Sequence, residues 1–354
     1  MTPHINAIGA ATPDHDIHQA FIAWASERVQ PRALKLFARM AGRSGIQRRW
    51  SVLPRTEVGG SPTDPTGFYQ GDDFPGTAAR MDVYARAAPE LALAAIARLG
   101  DRAAIGDATH LVVASCTGFV APGIDQIIAR RLGLSPSVER LLVGFMGCYA
   151  AVAALRSARH IVRSDPQARV LVVTVELCTL HLQETDGVEP LLAMLQFGDG
   201  AAAALVTAEP QGFAIDQPFA TTLPESHELI RWNITDTGFA MHLSGEVPNR
   251  IAQALGSPEV AAAATGGRAP AELDGWAVHA GGRSILDAVQ SAFSLEPHAL
   301  DASRGVLADY GNMSSATLMF VLGRLLEGPP VRQGLALAFG PGLAAEGFGF
   351  RSAA

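Results

Sequence analysis

The chain has 354 residues, 48% hydrophobic and 17% charged, with a net charge of −7. The length exceeds the roughly 250–300 residues at which one core stops growing, so two domains or two fused halves are expected, and the composition excludes a disordered chain. A net-acidic surface argues against nucleic acid or an anionic membrane as the main partner. Lys35 is the only lysine among the 27 basic residues. There is no G-x-x-x-x-G-K-[ST] phosphate loop, and a Schiff-base enzyme would have to use Lys35. The three cysteines, Cys116, Cys148 and Cys178, fit neither a disulfide framework nor a zinc site and suggest a reducing, cytoplasmic setting. The start, Met1-Thr2-Pro3-His4, lacks the pattern of a signal peptide, and no apolar run reaches membrane length.

Residues 28 to 56 carry eight basic residues and no acid: Arg28, Arg32, Lys35, Arg39, Arg43, Arg48, Arg49 and Arg55. This is either a solvated helix face or an electrostatic trap for a small anion such as a phosphorylated cofactor. Arg39 and Arg43 share one face of a helix predicted over 31–42. Residues 57 to 79, with Gly59, Gly60, Pro62, Pro65, Gly67, Gly71, Pro75 and Gly76, read as a long loop. A helix follows at about 82–99, then a strand at 109–115 ending in Cys116-Thr117-Gly118, and a helix at about 123–132. The run Leu141 to Cys148 leads into a helix at 149–163 with Val152, Leu155, Ala158 and Ile161 on one side. Strands at 169–176 and 200–207 are continuous apolar runs, as suits strands buried on both faces.

The C-terminal third repeats this order. A strand at 275–279 runs through His279 into Ala280-Gly281-Gly282, and a helix follows at about 283–292. Tyr310-Gly311-Asn312-Met313-Ser314-Ser315 opens a helix to about 326, and a strand at 334–339 leads into Gly340-Pro341-Gly342. Cys148 and Asn312 thus occupy equivalent helix starts, and Cys116 and His279 equivalent strand ends. The pattern is a fused duplication whose polar residues converge from the same edge of each half.

Cys148 follows a glycine at a helix start, where the dipole and free N–H groups would lower a thiol's pKa and favour a nucleophilic thiolate. The alternative is a buried, small apolar cysteine. Cys178 reads as structural, and Cys116 could line a pocket. His279 is either a satisfied core histidine or, given the glycines after it, a residue beside which a ligand can approach the backbone. Asn312 is either an N-cap or a neutral donor to a developing oxyanion. Together the three are chemically coherent. Cysteine forms a thioester, histidine takes its proton, and histidine and asparagine donate to an enolate or tetrahedral oxygen. No metal-ligand spacing is seen, and no G-x-S-x-G elbow supports a serine hydrolase.

Four motifs, in order over residues 30 to 351, resemble those of the type III polyketide synthases, the chalcone and stilbene synthase family. They are Gly144-Phe145-Met146-Gly147-Cys148-Tyr149-Ala150-Ala151, Phe197-Gly198-Asp199-Gly200-Ala201-Ala202-Ala203, the segment Trp276 to Leu286 around His279, and Tyr310 to Thr317 around Asn312. The resemblance implies an α/β, thiolase-like αβαβα fold built from two duplicated halves. Residues 1–210 would carry the nucleophile and the coenzyme A-binding cluster, and 211–354 the histidine and asparagine. It further implies a cytoplasmic homodimer that uses acyl-CoA and malonyl-CoA as substrates, with no other cofactor, no metal and no obligatory acyl carrier protein.

The family's triad falls on Cys148, His279 and Asn312. Its coenzyme A contacts fall on Arg39 and Arg43; a third, a lysine, falls on Leu36, beside Lys35. Gly281, Gly282 and Ser284 would line the pantetheine tunnel. Phe197 matches one gatekeeper and Met241 replaces the second, a flexible thioether for a rigid ring. Cys116, Thr117, Ser314, Gly340 and Pro341 fall in the substrate pocket. Ala121 stands where plant enzymes place a methionine that reaches across the dimer. Ala280 replaces a usual proline, and Ala338 the first glycine of the cyclisation loop. These departures speak against a plant-type flavonoid substrate and suggest a bacterial enzyme with a differently shaped, aliphatic pocket. The rivals are a ketoacyl-ACP synthase III performing a single condensation, a papain-like cysteine hydrolase, which has the same Cys, His, Asn order but a C-G-[SA]-C-[WY] signature absent here, and a non-catalytic thiolase-fold binding protein.

Overall fold

The computed structural model describes residues 1–56, 61–64, 66–70, 74–100 and 105–353. Gly59, Gly60, Pro65 and Gly71 of the expected long loop lie outside these residues.

The N-terminal strands are β1 (His4–Ala11), β2 (His110–Ser115), β3 (Glu139–Gly144), β4 (Val170–Leu177) and β5 (Asp199–Thr207). They lie in the order β1-β5-β4-β2-β3. β2 pairs parallel with β3 and β4, whereas β5 runs antiparallel to β4 and to β1. The C-terminal half repeats this with β6 (Phe213–Thr222), β9 (Gly275–Val278), β10 (Gly334–Gly340) and β11 (Ala344–Ser352), in the order β6-β11-β10-β9. Here β9 and β10 pair parallel, as β2 and β4 do, and the last strand, β11, runs antiparallel to both its neighbours, as β5 does. The repeat lacks only the strand corresponding to β3. The two first strands, β1 and β6, join the halves through His4↔Ala214 and Ile5↔Phe213. A hairpin outside the sheet, β7 (Ile230–Thr235) and β8 (Gly238–Leu243), is an addition to the C-terminal half.

Period-two alternation sorts the buried strands between two layers of core. In β4, Val170 and Val172 face a middle core and Leu171, Val173 and Val175 an outer one. In β10, Ala336 and Ala338 face the middle and Leu335, Leu337 and Phe339 the other outer core. The middle core is built on α5 (Ala150–Ser164) and α11 (Ser315–Leu326), the helices after Cys148 and Asn312. Alanines on the strands facing them let these helices sit between two sheet faces at close range. One outer layer holds α1 (His18–Arg28), α2 (Leu34–Gly42), α3 (Thr77–Ala97), α4 (Ile124–Leu132) and α6 (Val188–Met194). The other holds α7 (Val247–Gly256), α8 (Pro258–Thr265), α9 (Arg283–Ala292) and α10 (Asp301–Tyr310). This is the αβαβα architecture, in two duplicated halves.

Two boundaries differ from expectation. The helix predicted from 82 begins at Thr77, so the end of the expected loop is helical; extended Gly76 precedes it, and the Thr77 N–H bonds the Asp236 carbonyl. The helix predicted over 31–42 opens with a 3-10 turn at Pro31–Ala33, and the α-helix proper starts at Leu34. Among the described residues, no helix is long and apolar enough to cross a membrane.

Candidate active site

Each half delivers its polar residues at a chain reversal. After β3 the backbone turns sharply, with Phe145 at φ 57° and Gly147 at φ 77°. A 3-10 turn, Gly147–Tyr149, then carries Cys148 into α5. Gly147 is required twice. Its positive φ suits glycine, and a Cβ there would lie 2.3 Å from Pro341 Cδ of the other half. His279 continues β9 by one residue, its N–H bonding the Leu337 carbonyl at 2.8 Å, and the chain folds back as Gly281 N–H bonds the His279 carbonyl at 2.9 Å. A Cβ at Gly281 would stand 3.3 Å from His279 Nε2, so the glycine leaves that face of the ring open. Asn312 is clamped by its backbone. Its N–H bonds the Gln196 carbonyl at 2.7 Å, and its carbonyl accepts from Gly198 N–H at 3.0 Å. Its Nδ2 donates to the Gly281 carbonyl at 3.2 Å, and its Oδ1 accepts the Ser314 N–H at 2.8 Å. Ser314 sits at φ 47°, a strained conformation for a residue with a side chain.

Cys148, His279 and Asn312 are all buried and line one cavity of about 600 Å³. Phe197, Met241, Cys116, Thr117, Ser314, Gly340, Pro341, Gly281 and Ser284 line it as well. So does Cys178, although its place after an apolar strand reads as structural. The cavity runs from exposed Leu36, Met40, Glu189 and Ser284 at its mouth to the buried triad.

Five expected site residues lie elsewhere. Lys35, Arg39 and Arg43 are exposed on or just after α2, and it is Leu36 and Met40 of that helix that touch the cavity. Buried Gly282 lies off the cavity wall; a Cβ there would fall 2.2 Å from Gln196 Oε1, so its smallness serves packing. Ala121 is exposed before a cis peptide bond to Pro122 and away from the cavity.

The basic cluster also divides. Arg49 is buried, with its guanidinium donating to His18 Nδ1 and to the Met194 and Phe197 carbonyls, so it supports the site from behind, at the edge of a smaller neighbouring cavity and away from the mouth. Arg28 covers the Trp24 ring. Arg32, Lys35, Arg39, Arg43, Arg48 and Arg55 remain exposed. Arg283, next to Ser284, donates to the Arg43 carbonyl and adds a cation near the mouth.

The electrostatics overturn one expectation. Burial pushes the Cys148 thiol up to about 12, although hydrogen bonds from Ser314 and Asn312 pull it down. Burial likewise holds the His279 imidazole down to about 3. Neither His279 ring nitrogen has a hydrogen-bond partner among the described residues. Loss of water outweighs the helix-start effect, so burial favours the neutral form of both groups. Each is poised to give or take a proton only when a reacting group supplies the compensating charge.

The hairpin was missed in the sequence. Ile230, Trp232, Met241 and Leu243 all line the cavity. Its signal was the alternation Ile230-x-Trp232-x-Ile234 before the two-residue turn Asp236-Thr237. Glu176 also went unnoticed. It is a fully buried carboxyl that accepts from Cys116 N–H and Thr117 Oγ1, each at 2.9 Å, and from the Ser315 hydroxyl.

Residues 2–210 match the family described as chalcone and stilbene synthases, N-terminal domain, and residues 215–354 match its C-terminal domain. The chain is 36% identical over 366 aligned positions to bisdemethoxycurcumin synthase of Oryza sativa subsp. japonica, covering 95% of this chain and 89% of that one. It is 34% identical over 251 positions to the alpha-pyrone synthesis polyketide synthase-like Pks18 of Mycobacterium tuberculosis, covering 68% of this chain and 64% of that one. Among solved structures it resembles PKS-I from the brown alga Ectocarpus siliculosus, with a TM-score of 0.87, 29% identity and coverage of 99% and 98%. The type III domain of Steely1 from Dictyostelium matches at 0.87 and 25% over the full length of both chains. Two family domains in tandem, each carrying its share of the cavity residues, make this chain a member of the chalcone and stilbene synthase family, the type III polyketide synthases.

Proposed function

We propose that Cys148, His279 and Asn312 carry an iterative decarboxylative Claisen condensation in this cavity. The Cys148 sulfur attacks the carbonyl of an acyl-CoA starter, its proton passes to His279, and coenzyme A leaves as the thiol. Malonyl-CoA then loses CO2, and the electron pair of the broken C–C bond becomes an enolate whose oxygen accepts from His279 and Asn312. The enolate carbon attacks the Cys148 thioester. The C–S bond breaks, and the chain, longer by two carbons, leaves on coenzyme A to be reloaded. After a few rounds the poly-β-keto chain closes to a pyrone, resorcinol or related ring.

The observation that carries this reading is the meeting of a thiol, an imidazole with neither nitrogen bonded to a described residue, and a backbone-clamped amide at the buried end of one largely apolar cavity. Its apolar lining disfavours water around the triad, which protects a thioester and an enolate. On this reading residues 1–210 supply the nucleophile and residues 211–354 the histidine and asparagine. Exposed Arg39 and Arg43, with Lys35 beside them, hold the coenzyme A phosphates at the mouth while Gly281 and Ser284 flank the pantetheine arm. The enzyme works in the cytoplasm on free acyl-CoA and malonyl-CoA, without a separate cofactor or an obligatory carrier protein. It acts as a homodimer through the edge strand β3, where Leu141 and Leu142 are 42% and 43% exposed, near exposed Phe119.

The test is incubation of the purified protein with malonyl-CoA and short, long and aromatic acyl-CoAs, with products read by mass. Triketide or longer products are expected from at least one starter. Their absence with every starter overturns the reading, and activity confined to carrier-protein substrates favours a single-condensation synthase.

A further inference from the structure

The reaction above makes no use of Glu176, the last-but-one residue of β4, although this carboxyl lies at the junction of the two turns that carry the chemistry. One oxygen accepts the Cys116 N–H and the Thr117 hydroxyl, both at 2.9 Å, from the end of β2 in the N-terminal half. The other accepts the Ser315 hydroxyl from the start of α11 in the C-terminal half. The Ser315 backbone N–H also lies close enough to the group to lower its pKa.

Each arm continues to a reacting residue. The Cys116 sulfur accepts the Gly147 N–H at 2.9 Å, directly before Cys148. Ser315 follows Ser314, which is held at φ 47° with its N–H on Asn312 Oδ1, and both Ser314 and Asn312 hydrogen-bond Cys148. We propose that Glu176 is a positioning residue that fixes Cys148 relative to Asn312 by tying the nucleophile turn of one half to the asparagine turn of the other.

A carboxylate is suited to this because it accepts on both oxygens and donates on neither. A backbone N–H faces the group on both sides, that of Cys116 bonded to one oxygen and that of Ser315 near enough to lower the pKa, and a backbone N–H cannot reverse its role. A glutamine of the same shape has one accepting oxygen and one donating amide, so it can satisfy one arm while opposing the other. Burial raises the Glu176 carboxyl to about 7 even with these donors, so the form that accepts on both arms is the ionised one that prevails above that pH.

The inference rests on the reaction proposed above, so the experiment reads both turnover and a property independent of turnover. Glu176→Gln, Glu176→Asp, Ser315→Ala and the Glu176→Gln/Ser315→Ala double variant are compared with wild type. The assays are kcat and KM for condensation, and the rate at which iodoacetamide labels the Cys148 peptide, read by mass. Misplacing reacting groups by a fraction of an ångström should lower kcat roughly tenfold or more in Glu176→Gln, with KM for malonyl-CoA within about twofold. Labelling of Cys148 should change in parallel. Glu176→Asp keeps the charge but is one methylene short of spanning both arms, so it should fall between the two. The double variant should be no worse than Glu176→Gln, because both changes break one connection.

Wild-type kcat and labelling in Glu176→Gln, or losses that multiply in the double variant, overturn the proposal. If Glu176→Gln does not fold, Ser315→Ala and Thr117→Val each remove a single donor, and an unchanged kcat in both overturns it equally. If wild type makes no polyketide while Glu176→Gln alters Cys148 labelling, the proposed reaction fails and the positioning role stands.

Discussion

Trp232 faces Met241 directly across the β7–β8 hairpin, and its indole N–H donates to the Cys116 carbonyl at 3.0 Å. The hairpin is thereby fastened to the end of β2 and stands as a wall of the reaction cavity. Behind it lies a second cavity of about 80 Å³, and Trp232, Met241, Phe197, Cys178 and Ala193 line both. The flexible thioether at Met241 is therefore not an open gate, because a fixed indole stands beside it. Trp232→Ala should merge the two spaces and shift the preferred starter towards longer acyl chains, or raise the number of extensions. Product masses over a graded acyl-CoA series check this, and an unchanged length optimum would show that Trp232 does not limit the cavity.

Cys148→Ala should abolish condensation while leaving malonyl-CoA decarboxylation, because His279 and Asn312 keep their positions without the sulfur. The two are separated by following release of labelled CO2 alongside product mass. A fall in decarboxylation as complete as that in condensation would mean that the sulfur also organises the enolate site. Normal condensation would remove Cys148 from its assigned role.

The mouth calls for a salt-dependent test. Arg39 and Arg43 are exposed, so their contribution is screened over a Debye length of about 10 Å at 0.1 M salt. Replacing both by alanine should raise KM for coenzyme A substrates severalfold with little change in kcat, and the difference from wild type should shrink as salt rises. Equal effects at all salt concentrations would indicate lost packing beside Leu36 and Met40 instead of lost charge.

The duplication, the five-layer fold and the gathering of Cys148, His279 and Asn312 were legible because each rests on a local pattern: apolar strand, glycine turn, helix. What was not legible depends on long-range partners. Arg49 reads like Arg48 in the sequence, yet one is sealed behind Phe197 and the other exposed. The pKa expectation for Cys148 failed for the same reason. A helix start is visible in a sequence, but the burial that outweighs it is made by residues far away. The hairpin left an alternating pattern, but nothing local says that Trp232 and Met241 divide two cavities.

The edge strand β3 offers a test of assembly. Its pairing with β2 leaves the other side open, and Leu141 and Leu142 are both exposed on it. Leu141→Asp with Leu142→Asp should convert a dimer to a monomer in sedimentation while the melting temperature of the monomer unit stays close to that of wild type. A dimer that persists would place the interface elsewhere. Charges on an edge strand are a direct way to prevent strand-to-strand association.

His181 gives a pH signature. Its Nε2–H donates to the Thr117 carbonyl at 2.7 Å, its Nδ1 accepts the Phe239 N–H at 3.0 Å, and its ring stacks on Phe239 at 4.2 Å. A proton on Nδ1 would set two donors against each other. Burial, with a further push from Arg80, holds the imidazole down to about 3. The unfolded chain takes up this proton near pH 6.5 and the folded chain only far below it. His181 therefore lends its full stability above pH 6.5, and that contribution is lost as pH falls from there towards 3. The loss is about 1.4 kcal/mol per pH unit for one proton. In His181→Gln this proton is absent while every other titrating group, including His18, His279, Glu176 and Asp199, remains. Urea unfolding at pH 7, 6 and 5 should therefore show wild type losing stability more steeply than the variant below pH 6, by about that amount per unit. Parallel curves would mean that the folded protein accepts a proton on His181 after all. The Thr117–His181–Phe239 connection would then have to open without unfolding the hairpin.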